Sequence, residues 1–351
     1  ALKELMENSL DAKSTSINVI LKKGGLKMLQ IQDNGCGIRV EDFPILCERF
    51  TTSKIRSFKD LNGIQSFGFR GEALASISHV AHLTITSKTP SATCAYRASY
   101  SDGKLIASSP GEEPKPRPVA GVKGTTILAE DLFFNIPIRR DSLRSASEEY
   151  RKCVDVITKY SIHYSGVSFT CKKQGQNKMD VHTLKNANVK QNIRTLYGSS
   201  VSRELLNVKT NSKELKFEMN ALATNPNFNG KSFTLVLFIN NRLVDCTSIK
   251  RMIDEVYRDY LPSQSYPFVY LSLKIDPSHV DVNVHPTKRE VHFLHEEQIV
   301  NEISSAFEKA LSETNSSRVF LTQTLLPGAP KNDEDEDTGK DGKVNEKGDG
   351  A

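Results

Sequence analysis

ALKELMENSLDA, residues 1–12, decides how the rest of this sequence is read. At about 100° per residue, as in an α-helix, it sorts into two faces. Leu2, Leu5, Met6 and Leu10 fall on one side. Glu4, Asn8 and Asp11 fall on the other, spaced i, i+4, i+7, with Glu7 at their edge. Such a polar stripe is ordinarily a solvated helix face. It is also what a row of carboxylate and amide groups facing a ligand looks like. The stripe alone does not choose, and the glycine loops that follow it do.

Moving outward, residues 16–22 read as a strand, 23–25 as a turn and 27–33 as a second strand. Leu29, Ile31 and Asp33 share one parity, so Asp33 points to the same face as two core residues. An inward carboxylate needs partners, because burying it unpaired costs several kcal/mol. A turn or cap role is the other reading, since Asp-Asn-Gly is turn chemistry. Gly35 and Gly37 follow in DNGCG, and glycine lets a flat ligand approach the backbone closely. Residues 39–50 read as a short helix. Thr51, Thr52, Ser53 and Lys54 then offer three hydroxyls and an ammonium, suited to phosphate or to a polar turn. Residues 55–69 read as a mobile loop. It runs through Gly68, Phe69, Arg70, Gly71, Glu72, Ala73 and Leu74 into a helix ending near His79. A glycine-flanked entry to a helix leaves backbone N–H groups for an anion. Walker A and Rossmann glycine patterns are both absent.

Further along, residues 83–88 read as a strand and 94–106 as a hairpin turning at Ser101, Asp102 and Gly103. Residues 108–121 read as a surface loop, Gly124-Thr125-Thr126 opens another strand, and 145–163 is a long amphipathic helix. In the second half, strands are expected at 167–172, 216–223, 233–239 and 268–275, and helices at 187–197, 248–260 and 296–312. This is an α+β pattern. The run 281–288 ends an alternating strand in a Pro turn that presents Lys288 at a loop tip. The tail beyond Asn332 has almost no apolar residue and is expected to be disordered.

The totals are compatible with two domains: 351 residues, 38% hydrophobic and 25% charged. No apolar run approaches the ~20 residues of a membrane span. Six cysteines are scattered without a CxxC pair, which offers no zinc motif and points to a reducing compartment. Net charge is +5. Residues 331–351 hold eight acids and four lysines, so residues 1–330 carry +9. That excess favours an acidic partner such as nucleic acid.

ENSLDA, DNGCG, GFRGEALASI and GTT together resemble the four nucleotide-binding motifs of the GHKL ATPases, the group of gyrase, Hsp90 chaperones, histidine kinases and MutL. Within that group, FTTSK, DLFFNIPIRR and DVNVHPTKREVHF resemble MutL, the DNA mismatch repair family. CAYRASYSDGKL, HFLHEE and FLTQTLLPG are similar to its eukaryotic type, the shared subunit of heterodimers. The resemblance implies an α+β protein. A GHKL (Bergerat) ATP-binding α/β sandwich would occupy residues 1–165, with a segment ahead of it missing. A ribosomal protein S5 domain 2-like α/β domain would occupy 166–313, and a linker, acidic at its end, 314–351. It implies ATP and Mg2+ as cofactors, and slow hydrolysis that orders a lid and brings two N-terminal domains together around DNA.

The resemblance also assigns roles. Glu4 matches the general base, Asn8 the magnesium ligand and Asp33 the carboxylate that receives the adenine amino group. Gly35 and Gly37 make room for the base. Thr52, Ser53 and Lys54 match nucleotide contacts, and Arg70, Gly71, Glu72, Ala73 and Leu74 the lid and helix N-terminus around the phosphates. Thr125 lies in the last motif. Lys288 matches a lysine reaching the γ-phosphate from the second domain, and Asp11 a support. The implied partners are a second MutL homologue, a MutS-type mismatch recognition complex and DNA bound mainly through its backbone, in the nucleus and without a membrane. No DQHA-type nuclease motif is present in these residues, and the resemblance implies that the family's C-terminal dimerisation domain is not among them. Lys13 stands where bacterial members often carry glycine, and Asp141, Ser142 and Leu143 stand where basic or aromatic residues are commoner. Arg242, Lys250 and Arg251 are candidate phosphate contacts. The alternatives are an Hsp90-type chaperone or a topoisomerase-type ATPase module.

Overall fold

The computed structural model describes residues 1–51, 67, 71–107, 109–143, 145–281 and 291–323, with the backbone alone at 281 and 315–323. The first part runs α1 (Leu2–Asp11), β1 (Ser16–Lys22), β2 (Met28–Asp33), α2 (Ala73–Ser78), β3 (His82–Lys88), β4 (Ala95–Ser101), β5 (Lys104–Ile106), β6 (Arg117–Val119), β7 (Gly124–Glu130), α3 (Pro137–Asp141), α4 (Ala146–His163), β8 (Ser168–Lys173), β9 (Met179–His182) and α5 (Val189–Tyr197). Its strands form one sheet in the order β5-β4-β3-β7-β2-β1-β8-β9, with β6 added beside β4. Buried and half-exposed positions alternate along β1, β2, β3 and β7. One face of this sheet therefore packs on helices while the other faces outward. Leu5, Met6, Ile17, Val19, Ile31, Ile85, Ile127, Ile157 and Phe169 form the shared core beneath α1 and α4. Ser145 caps α4 by accepting the Glu148 N–H.

The second part runs α6 (Ser199–Arg203), β10 (Leu205–Ser212), β11 (Phe217–Thr224), β12 (Thr234–Ile239), β13 (Arg242–Leu243), α7 (Thr247–Arg258), β14 (Phe268–Ile275), β15 (Val280–Asp281), β16 (His292–Phe293) and α8 (Glu296–Gln323). Its main sheet has the order β10-β11-β14-β12-β13. Met219, Leu237, Leu271 and Leu273 pack on one side with Ile249 and Ile253 of α7 and Ile299, Ile303 and Phe307 of α8. Val236, Phe238, Phe268 and Tyr270 face the other way and join the first core.

Most expected elements are present within a residue or two. The helix expected over 39–50 is a 3-10 turn over Val40–Ile45 with Pro44 inside it, and proline disfavours a longer helix. Strands β6, β9, β10, β13 and β16 escaped the sequence reading. Each lies at an edge of its sheet, where little apolar alternation is required. Pro118 sits within β6, as edge strands permit. The strand expected at 167–172 is β8, and it pairs parallel with β1. The first sheet thus continues past residue 165 to His182.

Candidate functional site

Helix α1 lies with Leu2, Leu5, Met6 and Leu10 buried, as its apolar stripe requires. Glu4 is exposed, and Asn8 and Asp11 are half-buried along the opposite stripe. Two polar residues go the other way: Glu7 is only 4% exposed and Ser9 only 2%. Ser9 donates to Asp33 Oδ2 at 2.9 Å. Tyr160 of α4 donates to Glu7 Oε1 at 2.5 Å. Asp11 Oδ1 accepts the Phe67 N–H at 3.2 Å. The edge residue of the stripe is therefore an inward group.

Asp33 ends β2 as a buried carboxylate. Its Oδ1 accepts the Gly35 N–H at 2.8 Å while Oδ2 takes the Ser9 hydroxyl. Burial raises its pKa above the ordinary carboxylate value, and the Gly35 and Ser9 bonds oppose that rise. The Ser14 hydroxyl, also buried and close enough to lower that pKa, reaches no partner at hydrogen-bonding geometry. A buried acceptor beside an orphaned hydroxyl fits a ligand with polar edges, such as a nucleobase. Thr125, expected in the site, stands directly across from Asp33 in the β2–β7 ladder. Its hydroxyl lies 2.9 Å from that of Ser87, which also receives the Ile38 N–H at 2.9 Å.

The glycine loop is fastened to the end of α1. Cys36 N–H donates to Ala12 O at 3.0 Å, and the Asn34 side chain accepts from Thr15 and Ser16 N–H groups at 2.8 and 2.9 Å. A Cβ at Gly35 would come within 2.7 Å of both Ala12 and Ser14. Gly37, at φ 73°, would strike the Lys88 carbonyl group. These two glycines thus satisfy the protein's own packing first. Gly71, at φ 61°, is pressed against the backbone of Thr51, so the residues bounding 52–70 meet. Glu72, Ala73 and Leu74 open α2, a helix of only six residues. Thr52, Ser53, Lys54, Arg70 and Lys288 lie outside the described residues.

Sequence reasoning proposed Arg242 as a phosphate contact, and its burial corrects that. It is 7% exposed, donates to Phe67 O at 3.1 Å and sits over the Phe67 ring at 5.6 Å. It fastens the second part of the chain to the first. Lys250 and Arg251 are exposed on α7. Ser9, Glu7, Tyr160 and His163 were not singled out as site groups. Ser9 and Glu7 had a faint signal, polar residues next to apolar positions on the helical wheel. Tyr160 sat in an ordinary core stripe, and His163 was read only as the end of that helix. Among the described residues no three His, Cys, Asp or Glu side chains converge to hold a metal, and no helix is long and apolar enough to cross a membrane. On helix α1, Asn8 offers one amide oxygen of the kind a hard divalent cation takes.

Comparison with known proteins fits this geometry. Residues 1–120 match the family of histidine kinase-, DNA gyrase B- and HSP90-like ATPases, and residues 193–312 match the C-terminal domain of DNA mismatch repair proteins. The DNA mismatch repair protein Mlh1 of Dictyostelium discoideum is 48% identical, across 93% of this chain and 40% of its own length. The DNA mismatch repair protein MutL of a Thermoanaerobacter species is 34% identical, across 90% and 49%. The crystal structure of the N-terminal domain of a DNA repair protein matches with a TM-score of 0.76 at 25% identity, covering 90% of this chain and 95% of that one. The chain spans less than half the length of these curated relatives.

Proposed function

This chain belongs to the MutL family of DNA mismatch repair proteins, with a GHKL ATPase fold in its first part, and from that premise we propose that it is an ATP-switched subunit of mismatch repair. The observation that carries the reading is the buried Asp33 carboxylate beside α1. Its bonds to Ser9 and Gly35 set it between the catalytic helix and the glycine loop. In this reading Asp33 accepts a hydrogen bond from the adenine amino group, and Gly35, Gly37 and Thr125 shape the base and sugar pocket. Asn8 would hold Mg2+ together with the phosphates, and the ion supplies charge neutralisation there. Glu4 orients the attacking water and takes its proton on the carboxylate as the water oxygen bonds to the γ-phosphorus and the bond from that phosphorus to the β–γ bridging oxygen breaks, leaving ADP and phosphate. Thr52, Ser53, Lys54 and Arg70 contact the nucleotide, and the backbone from Gly71 to Leu74 borders its phosphates. Lys288 reaches the γ-phosphate from the second domain, so that ATP and not ADP bridges the two domains.

The cycle serves as a conformational switch. ATP binding brings two such N-terminal regions together around DNA, in a heterodimer with a second MutL homologue that answers to a MutS-type complex in the nucleus. The +9 charge of residues 1–330 and the exposed Lys250 and Arg251 support backbone contact with DNA, which weakens with salt. Hsp90-type and topoisomerase-type modules share the ATPase half, whereas the match over residues 193–312 favours mismatch repair.

ATP turnover by the intact protein and by Glu4→Ala tests this. Turnover should fall at least about 100-fold, with nucleotide affinity nearly unchanged. Hydrolysis at the original rate would remove Glu4 as the base.

A further inference from the structure

The turn between β12 and β13 reaches into the first part of the chain beside α1. Asn240 and Asn241 form it at φ 47° and 65°, the left-handed pair that a two-residue hairpin turn requires. The Asn240 side chain anchors the turn on β14, bonding the N–H and the carbonyl of Ile275 at 2.9 Å each. The residues after it grip two helices. Asn241 takes the Tyr164 hydroxyl on its carbonyl at 3.1 Å, and its Oδ1 lies 3.0 Å from His163 Nε2. Leu243 turns its backbone carbonyl toward α1. Its carbonyl accepts Lys3 Nζ at 3.0 Å, while Phe238 of β12 packs edge-on against the Tyr160 ring of α4. Tyr160 passes the connection on to Glu7.

Lys3 and Glu7 are four residues apart, one above the other on α1. Two bonds along one stripe fix the rotation of a helix about its axis, which a greasy core contact does not. Glu4 and Asn8 stand one residue further on, so their stripe turns with the first. Fastening the two domains would not by itself need a buried carboxylate. The Tyr160 ring already packs edge-on against Phe238, with centroids 5.5 Å apart, and stacks beside Tyr164. Its hydroxyl adds direction where contact is already made, and a buried carboxylate is costly unless its bond serves a purpose.

We infer that Leu243, Tyr160, Glu7 and Lys3 form a positioning latch through which the second domain sets the rotation of α1, and with it the placement of Glu4. The latch rests on the roles proposed above for Glu4 and Asn8. It acts through the helix: Tyr160, Glu7 and Lys3 are positioning residues that need not touch the substrate.

Steady-state ATP hydrolysis by the intact protein tests the latch, alongside thermal unfolding of each variant. Tyr160→Phe keeps the ring and loses only the hydroxyl. It should lower kcat about tenfold, as small misplacements of reacting groups do, with KM for ATP changed less than about twofold. Glu7→Gln retains an acceptor and should keep most of the activity, while Glu7→Leu should behave like Tyr160→Phe. Lys3→Met alters a half-exposed site that threatens folding least, and should show the same kcat-selective loss. Wild-type kcat in both Tyr160→Phe and Lys3→Met would overturn the latch. So would a loss in kcat that merely tracks the folded fraction. Glu4→Ala in the same assay separates the two layers. If it abolishes turnover while the latch variants are normal, the latch alone is wrong; if it turns over normally, the role of Glu4 fails and the latch with it.

Discussion

Burial raises the Asp33 carboxyl pKa, and the Gly35 N–H and Ser9 hydroxyl hold it down without cancelling the rise. A carboxyl whose native pKa exceeds its unfolded value contributes stability that is complete below the unfolded pKa and lost as pH rises through the native one. Holding Asp33 in its charged form therefore costs the fold stability, a cost that the proposed role in binding adenine would offset. Asp33→Asn preserves the shape and can still accept from Gly35. Urea unfolding at pH 7 should give a midpoint equal to or above that of the wild type, without the loss of stability on raising pH through the weakly acidic range. Nucleotide affinity, measured by titration calorimetry, should fall at least about tenfold, as expected when a buried polar contact is lost. Unaltered affinity would contradict the adenine assignment.

Helix α1 ends in a tight cap. Lys13 N–H bonds Leu10 O at 2.9 Å and Ser14 N–H bonds Ser9 O at 3.2 Å, the paired closure of a Schellman motif. The motif requires a left-handed residue at its centre, and Lys13 occupies it at φ 57°. The lysine side chain is exposed, so its backbone conformation is the main cost. Lys13→Gly should stabilise the chain by about 0.5–1 kcal/mol, read as an increase in the urea midpoint at unchanged slope. A decrease would mean that the lysine side chain holds the cap by a contact of its own.

The two sheets meet through the last turn of α4. His163 stacks on Phe238, with ring centroids 3.9 Å apart, and bonds Tyr270 Oη and Asn241 Oδ1 at 3.0 Å each. Burial pushes its pKa down to about 4, and nearby Lys274 adds to the effect while the Asn241 bond opposes it. Tyr164 and Tyr270 are the other titratable groups around the ring. A histidine with a depressed native pKa contributes stability above its unfolded value near 6.5, lost as pH falls through the native value. Thermal unfolding should therefore fall off between about pH 6.5 and 4 by on the order of 2 kcal/mol, less than full burial would give because the ring is half-buried. His163→Gln should flatten that dependence. An equally steep decline in the variant would place the acid sensitivity elsewhere.

The periodicity of residues 1–12, the parity of Asp33 and the order of the glycine motifs were legible in the amino-acid sequence alone, because each depends on spacing along a single element. So were the central strands, whose burial demands alternating apolar residues. Edge strands β6, β9, β10, β13 and β16 were not, since a strand paired on one side can be short and polar. Nor could spacing separate Glu7 from Glu4 or Arg242 from Lys250. These pairs carry like charges, and only packing decides which member is enclosed. Tertiary structure put Glu7 under Tyr160 and Arg242 over Phe67, and brought Leu243 from the second sheet to α1. Residues 7, 160 and 243 share no local pattern. Their convergence comes from two sheets closing on one helix, where buried hydrogen-bonding groups must find partners.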